Sequence, residues 1–139
     1  GIRDVAVTGV QTCALPISRY ALGGTASASP FVAFVMPVQA SVDQYRRLVF
    51  TARADRPMRV SVQWRAPGGT EGLRWARSIY LDEQARTFDL PLETFSALPP
   101  ATGSLPAGNV RSLLFVVDRL NTRIGASGQF WLDAIALGR

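Results

Sequence analysis

The 139-residue chain contains no histidine and no lysine, and it has a single cysteine, Cys13. Without histidine the chain lacks the commonest general base and the main nitrogen ligand of zinc. One cysteine cannot form a disulfide within the chain. No apolar run approaches the roughly 20 residues that a membrane helix requires, so no membrane span is predicted. These absences argue against histidine-dependent catalysis, zinc sites and transmembrane helices.

The first 17 residues differ in character from the rest of the chain. Residues 7–17 resemble one reading frame of a translated sequencing-library adapter. We therefore predict that residues 1–17 are a non-native leader and that residues 18–139 form one domain that is incomplete at its N-terminus. The alternative is an ordinary N-terminal strand over residues 4–10, whose alternating β-branched side chains suit a strand.

All fifteen basic residues are arginines, and with ten acidic residues they give a formal net charge of +5. The arginines are scattered along the chain, and no nucleic-acid recognition motif accompanies them. We therefore predict a solvated, mildly basic surface and no nucleic-acid partner. Paired carboxylates can serve a glycosidase, but most acidic residues here fall in predicted turns or on outward strand positions. We predict that the protein is not an enzyme.

Short strands separated by turn residues run through the chain, as in a sandwich or barrel. Residues 58–65 show the cleanest alternation of apolar and polar side chains. Residues 30–38 are apolar on both faces and predict a strand that is covered on both sides. Residues 110–118 are the most apolar segment and predict a central strand. Further elements are predicted as strands over residues 45–54, 73–82, 86–92 and 129–137, a helical turn near residues 92–95, and a connection over residues 96–109 that crosses between sheets.

Seven or eight such strands predict an all-β fold, a two-sheet antiparallel β-sandwich of the jelly-roll type. The side chains expected to fill its core are Leu48, Phe50, Val60, Val62, Leu113, Phe115 and Ile135.

Strand alternation also assigns the aromatic side chains to faces. Trp64 and Trp131 are in phase with apolar neighbours, which predicts a core or rim position for Trp64 and core packing for Trp131. Trp75 is equally consistent with a core edge and a ligand platform. Tyr80 projects with small and polar side chains, which favours solvent or a groove. The outward face of the strands predicted over residues 58–65 and 73–82 contains Arg59, Ser61, Gln63, Arg65, Arg74, Ala76, Ser78 and Tyr80. Its alternative interpretation is an ordinary solvated sheet face.

Three segments carry a resemblance to a known family. Residues 74–82 lead to a Pro-Leu-x-x-Phe element at residues 91–95, residues 113–118 form an apolar strand, and residues 131–135 read aromatic-x-Asp-x-Ile. Together they resemble the C-terminal two thirds of a galactose-binding-like jelly roll. The most similar patterns are those of family eleven carbohydrate-binding modules and of complex-I-intermediate-associated-protein-type domains.

The resemblance implies a non-catalytic accessory module of a larger, secreted or periplasmic protein, which binds a polysaccharide or oligosaccharide weakly. Sugar binding requires flat aromatic faces and planar polar groups gathered in a groove. The candidate ligand-binding residues are Tyr80, Arg74, Gln63, Arg65 and Trp75. The alternative is a structural or protein-interaction domain that docks onto a catalytic domain of the same parent chain.

Asp133 is a carboxylate within an apolar closing strand, where burial is costly unless the group is paired or coordinated. In related jelly rolls the corresponding aspartate helps to hold a structural calcium ion, so the resemblance implies this role for Asp133 in the intact parent. Calcium takes roughly six to eight oxygen ligands, which one carboxylate cannot supply. The alternative is that Asp133 pairs with an arginine or with backbone amides. No other cofactor is expected.

Overall fold

A computed structural model describes residues 17–21, 31–118 and 127–139, with side chains over residues 33–117 and 128–139. The predicted leader, apart from Ile17, lies outside the described residues, and so does most of the loop expected after residue 118. The proposed boundary at residue 18 therefore stays a prediction.

Nine β-strands and two 3-10 turns are present in the described part of the chain. The strands are β1 (Ile17–Ala21), β2 (Phe31–Pro37), β3 (Arg47–Ala54), β4 (Met58–Ala66), β5 (Leu73–Leu81), β6 (Arg86–Pro91), β7 (Ser96–Leu98), β8 (Ser112–Asp118) and β9 (Ser127–Gly138). The turns cover Leu92–Thr94 and Ala107–Asn109. The first of these turns confirms the helical turn predicted near residues 92–95. No helix within these ranges is long and apolar enough to cross a membrane.

The strands form two antiparallel sheets that pack face to face. The four-stranded sheet has the order β1-β9-β3-β6, and the five-stranded sheet has the order β2-β8-β4-β5-β7. This arrangement confirms the predicted two-sheet antiparallel sandwich. The apolar strand β8 lies inside its sheet, between β2 and β4, as its composition predicted.

The core lies between the two sheets and contains aromatic rings in contact with one another. Each of the seven predicted core side chains is exposed by 1% or less. Phe50 of the four-stranded sheet meets Phe115 of the five-stranded sheet edge to face, with ring centroids 5.2 Å apart. Phe50 also stacks on Phe88 at 5.3 Å. One phenyl ring therefore joins both layers.

Strand β2 differs from its prediction because it is an edge strand of the five-stranded sheet. Met36 faces the core and is buried, but Val35 points outward and is 44% exposed. The prediction that this strand is covered on both sides is wrong. An apolar run on both faces does not distinguish an edge strand with one open face from a strand buried between two layers.

The chain changes sheets earlier than predicted. The 3-10 turn Leu92–Thr94 leads from β6 in one sheet to the short strand β7, which pairs with β5 in the other. Phe95, which follows the turn, is buried and meets Trp64 edge to face at 6.3 Å. The remaining connection, residues 99–111, therefore begins and ends in the same sheet.

A β-bulge interrupts the long closing strand β9. Ala136 lies opposite Val49 and Asp133 lies opposite Thr51, so two residues of β9 share one partner position on β3. Ala134 takes up the extra residue with a φ of 51°. The bulge reverses the phase of the strand, because a one-residue insertion exchanges its two faces. Trp131 consequently lies on the outward face, and the prediction that it packs in the core is wrong.

Candidate functional site

The pairing of β4 with β5 brings the eight outward residues of the two strands together. Directly opposite pairs are Arg59 with Tyr80, Ser61 with Ser78, Gln63 with Ala76, and Arg65 with Arg74. Paired residues and alternate residues of antiparallel strands point to the same side. These positions therefore lie on the outward face of the five-stranded sheet, here called the candidate face.

The turn over residues 67–72 sets this register. Gly69 and Gly72 have φ values of 57° and 83°, which favour glycine. A Cβ on Gly72 would lie 2.9 Å from Cγ of Arg65, so the close return of the chain also requires glycine. A register slip of one residue would turn Gln63 and Arg65 into the core.

Strands β8 and β2 extend the candidate face with residues that the sequence analysis did not assign to it. Ser112 and Leu114 lie opposite Arg65 and Gln63, and Val35 lies opposite Leu114. Leu114 points outward but is only 3% exposed, because neighbouring side chains cover it. The middle of the face therefore contains a buried apolar side chain. Strand alternation predicts that Ser112 and Leu114 point to the same side of β8. No sequence signal indicates that β8 is the neighbour of β4.

Hydrogen bonds order the polar side chains of the candidate face. Gln63 donates through Nε2 to Oγ of Ser61 at 3.0 Å and accepts at Oε1 from Nη1 of Arg74 at 3.5 Å. Arg65 donates through Nη2 to Oγ of Ser112 at 3.3 Å. Gln63 is only 4% exposed, and its bonds to Ser61 and Arg74 satisfy both ends of its buried amide. The two guanidinium groups are held along the sheet surface.

Tyr80 is the aromatic residue among those named on the candidate face, and it is 48% exposed. Tyr80 and Val35 are the large hydrophobic residues that the described part of the chain exposes, and both lie on this face. The guanidinium carbon of Arg59 is 5.9 Å from the centre of the Tyr80 ring. The face thus combines an accessible ring with fixed polar groups.

Trp75, the fifth predicted ligand residue, lies on the other side of the sheet. It follows Arg74 directly in β5, and successive residues of a strand point to opposite faces. Its side chain is buried opposite Trp64, and its indole N–H donates to the carbonyl oxygen of Gly103 at 2.9 Å. The structure therefore separates Trp75 from Tyr80, Arg74, Gln63 and Arg65.

An open depression of about 490 Å³ continues the candidate face beyond Arg74. The turn before β5 forms one wall, and Leu98, Pro99 and Pro100 form the other. Glu71 also lines it. Pyrrolidine rings and a leucine side chain give this extension an apolar wall beside a guanidinium group.

Asp133 lies far from these residues in the fold, on the outward face of the four-stranded sheet opposite Thr51. The same surface carries Trp131, whose ring lies 3.8 Å from the guanidinium carbon of Arg53. Within the described ranges, no three residues of the Asp, Glu, His or Cys types gather as metal ligands would. The described residues alone do not provide the oxygen set that calcium takes. A calcium role for Asp133 stays a prediction.

The ion pairs of the described chain do not include the arginines of the candidate face. Asp82 accepts from Arg86 at 2.8 Å in the turn between β5 and β6, and this hydrogen bond holds the pKa of the Asp82 carboxyl below its usual value. Arg47 pairs with Asp89 at 3.2 Å on the four-stranded sheet. The arginines of the candidate face are thus distinct from those that carboxylates neutralise.

Carbohydrate-binding modules of known structure share this two-sheet arrangement. A family 11 module of a cellulosomal cellulase of Clostridium thermocellum superposes with a TM-score of 0.63 at 18% identity, covering 89% of this chain and 82% of that chain. A family 30 module gives a TM-score of 0.64 at 13% identity, covering 96% of this chain and 73% of that chain. The chain has the jelly-roll fold of these modules. This finding confirms the fold that the resemblance implied.

A second structure of a Clostridium thermocellum family 11 module holds a β-1,3-1,4-mixed-linked tetrasaccharide. It superposes with a TM-score of 0.58 at 18% identity, over 99% of this chain and 89% of that chain. No protein-family model matches the chain, and no match was found among curated proteins. At identities this low the superpositions establish a shared fold alone, and a shared fold does not determine the ligand.

Proposed function

We propose that the protein is a non-catalytic carbohydrate-binding module of a larger protein and that a glycan chain lies across the candidate face. One observation carries this proposal: an exposed aromatic ring, Tyr80, stands on the same sheet surface as hydrogen-bonded and therefore ordered Gln63, Arg65 and Arg74.

The chemistry of the face suits a sugar ring. The C–H side of a pyranose packs on an aromatic face, while its hydroxyl groups require planar polar partners around it. Val35, which is 44% exposed, adds apolar surface to the face next to the buried Leu114. Because Ser112 and the buried Gln63 already hold the two arginines, binding loses little further side-chain entropy.

A non-catalytic role is supported by the residue types that are present. The chain has no histidine, and none of the eight residues that β4 and β5 contribute to the candidate face is acidic. General acid–base chemistry on a glycoside needs two carboxyl groups that flank one bond. The family 11 and family 30 structures that share the fold are carbohydrate-binding modules, which agrees with a binding role.

The test is affinity gel electrophoresis of the full chain against a panel of soluble polysaccharides. We expect retardation by at least one polysaccharide, and we expect Tyr80→Ala and Arg74→Ala each to weaken it about tenfold, the loss of one ring contact or one charged hydrogen bond. Tyr80→Phe keeps the ring and should bind as the parent does. Arg53→Ala removes an arginine from the other sheet and is the matched control for Arg74→Ala.

If Tyr80→Ala and Arg74→Ala were retarded as strongly as the parent protein, the ligand would bind somewhere other than the candidate face. Absence of binding to every polysaccharide would contradict the carbohydrate role itself. In that case the exposed Val35 and Tyr80 favour the docking of this face onto another domain of the parent chain.

A further inference from the structure

Two arginines of the candidate face oppose each other across neighbouring strands. Arg65 of β4 and Arg74 of β5 are a directly opposite pair, and both side chains are half-buried. Like charges at directly opposite positions destabilise an antiparallel pair of strands. Arg59, at the other end of the outward face of β4, adds a third guanidinium group.

No carboxylate within the described ranges forms an ion pair with these three arginines. The ion pairs there join Arg47 with Asp89, Arg56 with Asp55 and Arg86 with Asp82. On the candidate face the partners are neutral instead: Ser112 accepts from Arg65, and Gln63 accepts from Arg74. Glu71 lines the depression beyond Arg74 without forming an ion pair with it. The positive charge of the face is therefore left for a ligand to neutralise.

The hydrogen-bonding capacity of the face is also one-sided. A guanidinium group has five N–H donors and no acceptor, and Arg65 and Arg74 each use one donor toward their neutral partner. The side-chain oxygens of Gln63 and Ser112 already accept these bonds. Anions that present two oxygen atoms side by side fit the remaining donors in pairs, with bonds stronger than those to a neutral hydroxyl.

From this pattern, and resting on the proposed function, we infer that the ligand of the candidate face is an acidic glycan. Carboxylate or sulfate groups on its sugars bind between Arg65 and Arg74, while a sugar ring several units along the glycan packs on Tyr80, which lies six residues from Arg74 in β5 and therefore roughly 20 Å away along the strand. The two kinds of anionic group share the chemistry that the arginines recognise, and matched probes distinguish them.

The experiment compares pairs of polysaccharides that differ in charge, with the full chain and isothermal titration calorimetry. Polygalacturonate is set against its fully methyl-esterified form, and dextran sulfate against dextran. We expect the anionic member of at least one pair to bind at least about tenfold more tightly than its neutral partner. Raising the salt from about 50 to 300 mM should weaken this binding, since screening shortens the reach of the charges.

Variants locate the charge recognition. Arg65→Gln and Arg74→Gln should each weaken binding of the anionic probe about tenfold, whereas Arg46→Gln and Arg53→Gln, which remove equal charge at the four-stranded sheet, should change it less than about twofold. Arg74→Lys keeps the charge but loses the paired donors, so its affinity should fall between those of the parent and of Arg74→Gln. Because repulsion is relieved, Arg65→Gln should not lower the melting temperature, which shows that the variant folds.

Equal binding of the charged and neutral members of each pair would overturn the inference and leave the proposed function intact. Equal weakening by Arg46→Gln and Arg65→Gln would also overturn it, because the attraction would then come from the net charge of the whole chain. Failure to bind either anionic probe overturns it as well. The proposed function is tested separately by the polysaccharide panel described above.

Discussion

At the scale of single residues, Trp64 and Trp75 lie opposite each other in the core but differ at their indole N–H groups. The N–H of Trp75 donates to the carbonyl oxygen of Gly103 at 2.9 Å. The N–H of Trp64 is buried and has no hydrogen-bond partner within the described structure. A buried donor without a partner costs about 1–3 kcal/mol of stability.

We predict that Trp64→Phe changes the free energy of unfolding by less than about 1 kcal/mol, because removal of the unpaired N–H offsets the smaller apolar surface. Trp75→Phe should be more destabilising by about 1–2 kcal/mol, since it also breaks the bond that holds Gly103. Urea unfolding of both variants measures the difference. A larger loss for Trp64→Phe than for Trp75→Phe would show that the buried indole of Trp64 has a partner after all.

At the scale of elements, the β-bulge in β9 depends on one residue, Ala134. Its φ of 51° is a left-handed conformation that costs a residue with a Cβ roughly 1 kcal/mol or more. The residue is exposed, so no core packing depends on its methyl group.

We expect Ala134→Gly to raise the free energy of unfolding by about 0.5–1 kcal/mol, because glycine adopts this φ without strain. Ala134→Val is the matched opposite change and should destabilise the protein, since a β-branched side chain tolerates the conformation least. Thermal unfolding of the two variants measures whether each substitution raises or lowers the stability. If Ala134→Gly lowered the melting temperature, strain at this residue would not be the main energetic feature of the bulge.

The same bulge explains which parts of the structure could be predicted from the sequence. Alternation placed Gln63, Arg65 and Tyr80 correctly because β4 and β5 are regular over their whole length. It failed for Trp131 because a bulge breaks the period of two, and the alanine that forms it has no special sequence signal. Strand β7 has only three residues, too few for a period to show. The order of strands within each sheet depends on long-range pairing and could not be read from local pattern at all.

At the scale of the whole molecule, stability depends on the contact between the two sheets. Phe115 is fully buried and meets Phe50 of the opposite sheet. Phe88 stacks on the same ring from within its own sheet and is only partly buried. The two phenylalanines thus separate a contact between layers from a contact within one layer.

Phe115→Ala should lower the free energy of unfolding by about 3–5 kcal/mol, which includes the cavity left behind. That is a large share of a total of about 5–15 kcal/mol for a domain of this size. Phe88→Ala should cost clearly less, because part of its ring is in contact with solvent already. Chemical denaturation followed by circular dichroism measures both. Equal losses would mean that Phe115 does not join the layers as the geometry indicates.

The bulge has an optical consequence. It leaves two of the three indoles inside the sandwich and one, Trp131, on its outer surface beneath the guanidinium group of Arg53. We therefore expect the fluorescence of the chain to be a sum of blue-shifted emission from the interior and a red-shifted component from Trp131. We expect iodide, which Arg53 attracts, to quench the second component more strongly than caesium does. Trp131 lies on the sheet opposite the candidate face, so its signal serves as an internal reference while a glycan is titrated.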